Sequence, residues 1–315
     1  MLERDETLPA RKPIVVVGSI NQDLVVVAEK IPTGGETVIG SDFQIHPGGK
    51  GANQAVAIAH LGYPVHMIGR LGNDAVGSQM RAHLDEVGVD TQGVATSDGA
   101  SGVALIVVSA TGENSIVVAP GANSKLTPQD LEANVGLIRQ AGLVLTQLEI
   151  PLETVECLAE ICEREHVPLI LDPAPARELP PTIFRRTTWL TPNETEAGFY
   201  VKRNSDADAP ATSAGELFQL GCRGVVLKMG SRGVYLATTP TAGETVPAFR
   251  VKAVDSTAAG DAFNGAFAVG LMMDKSPRDS ALFAAAVAAI SVTRTGAQPS
   301  MPTMAEVDAF LQARP

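Results

Sequence analysis

The sequence predicts an α/β protein with a doubly wound, mostly parallel sheet and a second, smaller β-sheet. Continuous apolar runs such as "IVVVGSI" (residues 14–20) and "VPLILDPAPA" (residues 167–176) are typical of strands buried on both faces. Amphipathic segments such as "GNDAVGSQMRAHLDEVG" (residues 72–88) alternate with these runs and indicate helices. Aromatic residues make up only 4% of the chain, while small and β-branched residues are plentiful, which suits closely packed helices on a sheet.

The first half of the chain departs from simple βα alternation in two places. We expect residues 1–12 to form a flexible tail and residues 13–315 to form a single domain, whose first strand lies within residues 14–20. The segments at about 20–47 and 101–119 are rich in β-forming residues, and the second contains a hairpin around "TGEN" (residues 111–114). We expect these two segments to pair into one small sheet that forms a separate layer over the main domain.

The remaining elements follow in regular order. A helix after the glycines of "PGGKGANQAVAIAHLG" (residues 47–62) precedes the strand "VHMIGRLG" and the amphipathic helix of residues 72–88. Strands and helices alternate again from "LVLTQLEI" (residues 143–150) through "GVVLKMGSRGVYLAT" (residues 224–238). The Ala-rich segment of residues 279–296 and the segment of residues 303–315 complete the chain as helices, so the pattern favours helices on both faces of the sheet.

Composition excludes several classes of function. The formal net charge is −11 and no run is rich in Lys or Arg, so we expect neither nucleic acid nor a membrane as a partner. The 3 cysteines form no CxxC pair, which is typical of free thiols in a reducing compartment. The first residues lack the apolar region of a signal peptide, and no uncharged apolar run is long enough to span a bilayer. We therefore predict a cytoplasmic protein.

Polar residues follow several of the predicted strands, where doubly wound sheets bind their ligands. These residues are Asn21, Asp23, Glu149, Asp172, Asn193, Glu196, residues 228–231 and residues 255–261. Ordinary turn and N-cap residues would produce the same pattern at any one of these positions. Taken together, they favour a ligand site at the carboxyl edge of the sheet.

The segment "HPGGKGANQAVA" (residues 46–57) contains three glycines that let the backbone approach a ligand closely. Asn53 lies at the start of the following helix, where its amide could contact a sugar hydroxyl. A plain glycine-rich turn is the alternative interpretation. The chain has neither GxxxxGK[ST] nor GxGxxG after the first strand, which counts against P-loop NTPases and NAD-binding enzymes.

The segment "DSTAAGDAFNGAF" (residues 255–267) places small residues before an apolar helix. Ala258, Ala259 and Gly260 would expose backbone N–H groups at the helix N-terminus, which favours a negatively charged ligand. Asp261 would lie beside that ligand and could accept a proton from an attacking hydroxyl. A capped helix in which Asp261 merely complements the helix dipole remains the alternative.

The whole chain, from about residue 15 to residue 310, resembles the ribokinase branch of the PfkB-type carbohydrate kinases. The resemblance rests on "GSINQD", "GGETV", "GGKGANQA", "PAPARELP", "TPNETEA", "GSRGV", "AAGDAFNGA" and "TRTGAQPS", in this order. It implies a ribokinase-like fold in which the β-rich segments form a lid and mediate a homodimer. It also implies transfer of the ATP γ-phosphoryl group to O5 of D-ribose, giving D-ribose 5-phosphate and ADP, with Mg²⁺ and K⁺.

The resemblance also implies roles for individual residues. Asp261 is the expected general base, and the backbone amides of Ala258, Ala259, Gly260 and Asp261 are the expected anion hole. The expected sugar contacts are Asn21, Asp23, Gly49, Lys50, Asn53, Glu149 and Asp261. ATP is expected at Asn193, Lys228, Gly230, Ser231, Gly233 and Gly260, with Asn193 and Glu196 near Mg²⁺. The expected K⁺ site comprises Asp255, Thr257, Ser291, Arg294, Gly296 and Ser300.

The sequence departs from the family pattern at two positions. Ala285 stands where many members have a histidine near the adenine, and Thr257 stands where a branched apolar residue is common. The first departure leaves the selectivity for the nucleotide base open. Three other functions also remain as alternatives: a kinase for deoxyribose, fructose or a nucleoside, a silent sugar- or nucleotide-binding regulator, and, more remotely, an NAD-dependent oxidoreductase.

Overall fold

The computed structural model describes residues 11–202 and 210–313. Residues 1–10 of the predicted tail therefore lie outside the described part of the chain. Arg11 and Lys12, which the prediction assigned to the tail, contact the domain. The Arg11 guanidinium lies 5.7 Å from the centroid of the Tyr63 ring, and the Tyr63 hydroxyl donates to the carbonyl of Lys12 at 3.3 Å.

The strands and helices of the described residues follow the predicted order. The strands are β1 (Ile14–Val17), β2 (Asn21–Ala28), β3 (Gly40–Gly48), β4 (Val65–Gly72), β5 (Asp90–Ser97), β6 (Gly102–Ser109), β7 (Asn114–Ala119), β8 (Leu143–Thr146), β9 (Leu169–Leu171), β10 (Trp189–Leu190), β11 (Val225–Lys228), β12 (Val234–Thr239) and β13 (Ala242–Val246). The helices are α1 (Lys50–His60), α2 (Ala75–Glu86), α3 (Pro128–Ala133), α4 (Val135–Gln140), α5 (Leu152–Arg164), α6 (Pro181–Arg186), α7 (Glu194–Val201), α8 (Pro210–Gln219), α9 (Ala259–Met272), α10 (Pro277–Ser291) and α11 (Met304–Gln312). Within the described ranges, no helix has the length and apolar character needed to cross a membrane.

Nine strands form the large sheet, in the spatial order β13-β12-β11-β10-β9-β8-β1-β4-β5. The pairs from β11 to β5 are parallel, whereas β12 and β13 are antiparallel additions at one edge. Side chains of β1 alternate between two cores. Ile14 and Val16 belong to the core that includes residues of α1, α2, α9, α10 and α11, while Val15 and Val17 belong to the core that includes residues of α3 to α8. Helices thus cover both faces, and the predicted doubly wound architecture is confirmed.

The two β-rich segments form the expected small sheet, with the strand order β3-β2-β6-β7. Strand β2 pairs in parallel with β6, and the hairpin partners β3 and β7 flank them. Leu24 lies in register with Ile45 on one side and Leu105 on the other, and Leu105 faces Val117. Because side chains alternate between the two faces of a sheet, Asp23 faces the opposite side from this apolar row.

Close helix packing brings the N-termini of α1 and α9 over the carboxyl edge of the large sheet. A Cβ atom built on Gly51 would lie 2.7 Å from the backbone of Gly18, directly after β1. A Cβ atom built on Gly265 would lie 2.8 Å from the Cβ atom of Ala57, so α9 and α1 approach each other more closely than a side chain at position 265 would allow. Only the absence of a side chain permits both approaches, and together they set the position of the site.

Candidate functional site

Buried and half-buried charged side chains meet at the carboxyl edge of the large sheet, below the small sheet. The carboxylates are Asp23, Glu149, Asp172, Glu196 and Asp261, and the cations are Lys50 and Lys228. Burial by itself lowers the pKa of Lys50, but Asp261, Asp172, Glu149 and Glu196 outweigh it and hold that pKa above its ordinary value. The site is therefore rich in negative charge, and Lys50 stays protonated within it.

Asp261 lies in the first turn of α9 with only 5% of its surface exposed. Its two carboxylate oxygens accept hydrogen bonds from neighbouring residues of α1: Asn53 Nδ2 donates to Oδ2 at 3.0 Å, and Gln54 Nε2 donates to Oδ1 at 3.1 Å. Burial raises the pKa of Asp261, Asp172 raises it further, and Lys50 and the two amides oppose that rise. A raised pKa brings this carboxyl group closer to the range of an effective general base.

Gln54 connects Asp261 with a second buried carboxylate. Its Nε2 also donates to Asp172 Oδ2 at 3.1 Å, and its Oε1 accepts from Gln147 Nε2 at 2.6 Å. Asp172 Oδ1 in turn accepts from Lys228 Nζ at 3.0 Å. The two hydrogens of one uncharged amide thus bridge two carboxylates, and Lys228 balances the charge of the second.

Asn53 is itself held by a chain of side chains on its other side. Gln298 Nε2 donates to Asn53 Oδ1 at 3.1 Å, and a ring nitrogen of His83 lies 2.8 Å from Gln298 Oε1. Because Gln298 occupies the oxygen of Asn53, the nitrogen of Asn53 must face Asp261. Residues from α1, α2 and the 3₁₀ turn Gln298–Ser300 therefore converge on one carboxylate.

The side facing the small sheet contains the predicted sugar-contacting residues. Asn21 and Asp23 lie in β2, 2% and 9% exposed. Burial, Glu149 and Asp261 raise the pKa of Asp23 to about 7. Glu149 accepts from Ser19 Oγ at 2.6 Å and from the backbone N–H of Lys50 at 3.3 Å. Gly49 has φ +89, and a Cβ atom there would lie 2.6 Å from the Asn21 backbone nitrogen, so this close crossing requires glycine.

The predicted nucleotide residues surround the ends of β10 and β11. Lys228 ends β11, and a Cβ atom built on Gly260 would lie 3.5 Å from its Nζ atom, so Lys228 faces the start of α9. Asn193 and Glu196 form a capping box at the start of α7, in which each side chain accepts from the other's backbone N–H. Their first role in the fold is therefore to cap a helix.

A glycine turn follows Lys228 along the chain. Gly230 begins the exposed 3₁₀ turn Gly230–Arg232, and Gly233 has φ +91. A Cβ atom on Gly233 would lie 2.1 Å from the carbonyl oxygen of Val246, so the turn packs tightly against β13. Ser231 lies exposed within the turn. The turn is therefore an accessible surface next to Lys228.

The predicted monovalent-cation residues also come together. Asp255 accepts from Thr257 N at 2.9 Å and from Gly296 N at 2.8 Å, which joins the two loops. Burial raises the pKa of Asp255, but a hydrogen bond from the Thr257 hydroxyl at 2.7 Å and these two backbone hydrogen bonds outweigh it and hold that pKa below its ordinary value. The hydroxyls of Ser291 and Ser300 pair at 2.7 Å. The Arg294 guanidinium instead donates to Glu306 at 2.6 Å. Only the backbone of Arg294 could therefore contribute to a cation site in this loop.

Ala258 precedes α9 in a left-handed conformation, with φ 57, and has no side-chain cap. A non-glycine residue in this region is strained, which the surrounding loop must compensate. The Ala259 amide donates to Ser256 O at 3.2 Å, so this amide is already engaged within the turn. The amides of Gly260 and Asp261 lie in the first helical turn, where intrahelical acceptors are lacking.

Comparison with known proteins decides the family. The model of the pfkB family of carbohydrate kinases matches residues 11–304. The chain belongs to the pfkB family of carbohydrate kinases. A Bacillus subtilis ribokinase is 42% identical over 300 residues, covering 95% of this chain and 99% of the relative. A Salmonella typhi deoxyribokinase is 36% identical over 304 residues, covering 95% and 98%.

A solved ribokinase structure shares the fold described above. A ribokinase of Arabidopsis thaliana, complexed with ribose and ATP, superimposes with a TM-score of 0.89 at 35% identity. The match covers 96% of this chain and 99% of that one. The mixed large sheet and the four-stranded small sheet are therefore the ribokinase-like architecture.

Within this pfkB kinase the structure also reveals residues that the sequence interpretation missed. Gln54 directly follows Asn53 in a motif already singled out, yet it received no role. Asp172 was noted only as a polar residue after a strand, and Gln298 lies inside "GAQPS". Asn123, which contacts Asn21, follows the hairpin and carried no recognised signal. Ala285 lies buried on α10.

Proposed function

We propose that this pfkB kinase is a ribokinase, which phosphorylates D-ribose at O5 with ATP to give D-ribose 5-phosphate and ADP. The observation that carries the proposal is Asp261, a buried carboxylate at the N-terminus of α9 and close to Lys50, in a chain that matches ribokinases over nearly its whole length. Phosphoryl transfer demands mainly positioning and charge stabilisation, and this site offers both.

Asp261 is the proposed general base. Asn53 and Gln54 direct its carboxylate, and the raised pKa favours acceptance of a proton from the sugar hydroxyl as it attacks. Transfer is direct and in line, without a phosphoenzyme. The first-turn amides of Gly260 and Asp261, with the dipole of α9, would stabilise charge on the transferred group, together with the loop backbone at Ala258. The Ala259 amide would join them on release from the carbonyl of Ser256.

The sugar would lie between β2 and the start of α1. Carboxylate and amide groups suit a neutral polyol, because each hydroxyl both donates and accepts a hydrogen bond. Asn21, Asp23 and Asn53 provide such groups, while Lys50 and Glu149 complete the proposed set with the backbone at Gly49. The small sheet would act as a lid that excludes water from the reaction.

ATP would bind along Lys228, Gly230, Ser231 and Gly233, with Asn193 beside them. Mg²⁺ normally keeps several waters and binds through substrate phosphates, so it needs few protein ligands. Within the described ranges, no group of three or more acidic, His or Cys side chains could hold a metal ion. Glu196, whose oxygens bind Asn193, fits such a site only through water or as a nearby charge.

A monovalent cation fits the loop formed by residues 255–257 and 291–300. Asp255 is anionic there, and the hydroxyls of Ser291 and Ser300 together with loop carbonyls make the donor set entirely oxygen. Oxygen donors with one carboxylate suit K⁺. Its proposed effect is to order the loop that leads into α9, through Asp255 and Thr257.

The outer face of the small sheet supports a homodimer. The row Ile45, Leu24, Leu105 and Val117 faces away from Asp23, and Ile45, Leu105 and Val117 are 51–63% exposed. Exposed apolar patches of this kind mark interaction sites, and a two-fold symmetric dimer would bury the same row of both subunits.

We further infer a cytoplasmic location, because Cys157, Cys162 and Cys222 are all free thiols.

A substrate panel tests the proposal. ADP release is measured with ribose, 2-deoxyribose, fructose and nucleosides, each with MgATP and either K⁺ or Na⁺. We expect ribose to have the highest kcat/KM and K⁺ to exceed Na⁺. Deoxyribose is the second candidate because of the deoxyribokinase relative, and preference for it would refute the ribose assignment. No phosphorylation of any sugar would refute the kinase proposal.

A further inference from the structure

Asn123 lies where the small sheet joins the body of the molecule. It belongs to the 3₁₀ turn Gly121–Lys125, which follows β7, and its side chain is 1% exposed. Its amide makes three hydrogen bonds across more than a hundred residues of sequence. Asn123 Oδ1 accepts from Ile20 N at 2.9 Å, and Asn123 Nδ2 donates to Ile20 O at 3.1 Å and to Asn21 Oδ1 at 2.7 Å.

The backbone of Ile20 determines which way the Asn123 amide points. The two ends of an asparagine amide are similar in shape, so only hydrogen-bond partners distinguish them. The Ile20 N–H requires an oxygen opposite it, and the Ile20 carbonyl requires a donor. Reversing Asn123 would set donor against donor and oxygen against oxygen at once. The nitrogen of Asn123 therefore always faces Asn21.

This orientation in turn determines the orientation of Asn21. Since Asn123 is a donor at that contact, Asn21 must offer its own oxygen, which leaves Asn21 Nδ2 on the opposite side. Across residues 11–202 and 210–313, no hydrogen bond engages Asn21 Nδ2, and it is not among the enclosed unpaired atoms. It therefore remains available as a hydrogen-bond donor.

The Asn21–Asn123 pair packs directly against the backbone at the start of β6. A Cβ atom built on Gly102, the first residue of β6, would lie 2.2 Å from Asn21 Oδ1 and 2.3 Å from Asn123 Nδ2. Any side chain at Gly102 would separate the two amides. Gly102 also pairs in register with Asn21, so the same backbone contact joins β6 to β2.

A fixed donor complements the rest of the sugar side of the site. An ionised Glu149 can only accept hydrogen bonds. The same holds for Asp23 at a pH above its pKa, which burial raises to about 7. A sugar hydroxyl gives its hydrogen to one group and needs a donor at its oxygen. An Asn21 amide turned the other way would add a further acceptor and leave that oxygen unpaired.

We propose that Asn123 is a positioning residue for sugar recognition, which holds Asn21 with its amide nitrogen toward a hydroxyl of the substrate. The inference rests on the proposed sugar kinase function. Asn123 itself does not touch the sugar. The polarity that Asn21 presents is set by the backbone of Ile20 and relayed by Asn123.

The test compares Asn123→Asp with Asn123→Leu. The aspartate keeps an acceptor for Ile20 N–H but offers Asn21 another acceptor, so Asn21 turns and presents its oxygen to the sugar. We expect the ribose KM to rise about 10- to 100-fold, with kcat and the KM for ATP near wild type. The leucine removes the constraint without reversing it, so the ribose KM rises less. It leaves three backbone or amide groups unpaired, so its Tm falls further than that of Asn123→Asp.

Asn123→Asp should thus raise the ribose KM more, whereas Asn123→Leu should lower Tm more. A merely structural role for Asn123 would make the larger loss of stability accompany the larger rise in KM. Thr154→Val is the matched control, because buried Thr154 Oγ1 donates to Leu126 O at 2.6 Å next to the same turn and does not contact Asn21. It should lower Tm and leave the ribose KM unchanged. Asn21→Asp, which presents an acceptor while Asn123 stays bound to Ile20, should reproduce the KM rise even if Asn123→Asp fails to fold.

Unchanged ribose KM in Asn123→Asp or Asn21→Asp overturns the inference, as does a larger rise for leucine than for aspartate at position 123. Failure of the proposed function is recognised separately. In that case the wild-type protein itself does not phosphorylate ribose with MgATP and K⁺, and isothermal titration detects no ribose binding. If titration detects ribose without turnover, the same variants are ranked by ribose affinity.

Discussion

Two buried carboxylates compete for the role of general base, and one pair of substitutions separates them. Asp261 and Asp172 are 5% and 2% exposed, and Gln54 Nε2 donates to both at 3.1 Å. Only Asp261 lies at the N-terminus of α9. The pair Asp261→Asn and Asp172→Asn makes the same chemical change on either side of one amide.

The expected loss for Asp261→Asn follows from its role and contacts. A positioned general base contributes about 10²- to 10⁴-fold, or roughly 2.7–5.5 kcal/mol of barrier. In the folded protein, Asn53 and Gln54 each donate to one oxygen of Asp261, so an asparagine leaves one donor facing another donor at about 1–3 kcal/mol. Removing a buried charge whose pKa is raised offsets this cost. Turnover should therefore fall steeply while Tm changes little.

Asp172→Asn should behave in the opposite way. It removes the partner of Lys228, whose side chain is only 14% exposed, and a broken buried pair costs about 3–5 kcal/mol. Tm should therefore fall more than in Asp261→Asn, while kcat falls less. The measurements are ADP release for kcat, isothermal titration for ribose affinity, and thermal unfolding. Near-normal turnover in Asp261→Asn, or a greater kcat loss in Asp172→Asn, would refute the assignment of the base.

Four further predictions concern the rest of the molecule. Gly49→Ala should lower Tm by more than Gly62→Ala, because both have positive φ but only Gly49 also meets backbone atoms; equal shifts in thermal unfolding would contradict this. The folded pKa of Asp23 is about 7 against 3.8 unfolded, so its ionisation lowers stability as pH rises through that window. Asp23→Asn should therefore raise Tm more at pH 8 than at pH 5. An equal gain in Tm at the two pH values would contradict the raised pKa of Asp23. Leu105→Asp should convert a dimer to a monomer in analytical ultracentrifugation without loss of Tm, whereas a persistent dimer would exclude this face. Asp255→Ala should abolish the advantage of K⁺ over Na⁺ in kcat/KM, and a wild-type protein indifferent to the two ions would refute the cation site.

Local patterns were sufficient to predict the layers of the fold. The run "IVVVGSI" predicts a strand buried on both sides, and β1 does send Ile14 and Val16 to one core and Val15 and Val17 to the other. The β-rich character of residues 20–47 and 101–119 was likewise visible. Their parallel pairing through β2 and β6 was not, because register between distant strands leaves no periodic trace along either of them.

Some residues of the candidate site could be recognised from the sequence, and others only from the structure. Asp261 after a run of small residues, and Asn53 after three glycines, were recognisable from chemistry and spacing. The pattern Asn193-x-x-Glu196 was recognisable too, but the structure gives these residues a capping role that the resemblance did not mention. Gln54, Asn123 and Gln298 were overlooked since neutral amides are ordinary surface residues until their partners are known.

The sequence by itself determined the class of the fold, the kinase family and the chemical groups that the site has available. Spacing of 2 or 3.6 residues and short motifs encode these properties locally. Only the tertiary structure decided that one amide of Gln54 joins Asp261 to Asp172, and that Ile20 sets the direction of Asn21 through Asn123. A hydrogen bond depends on distances of a few tenths of an ångström between residues far apart in the chain, and such distances exist only once the strands and helices have packed.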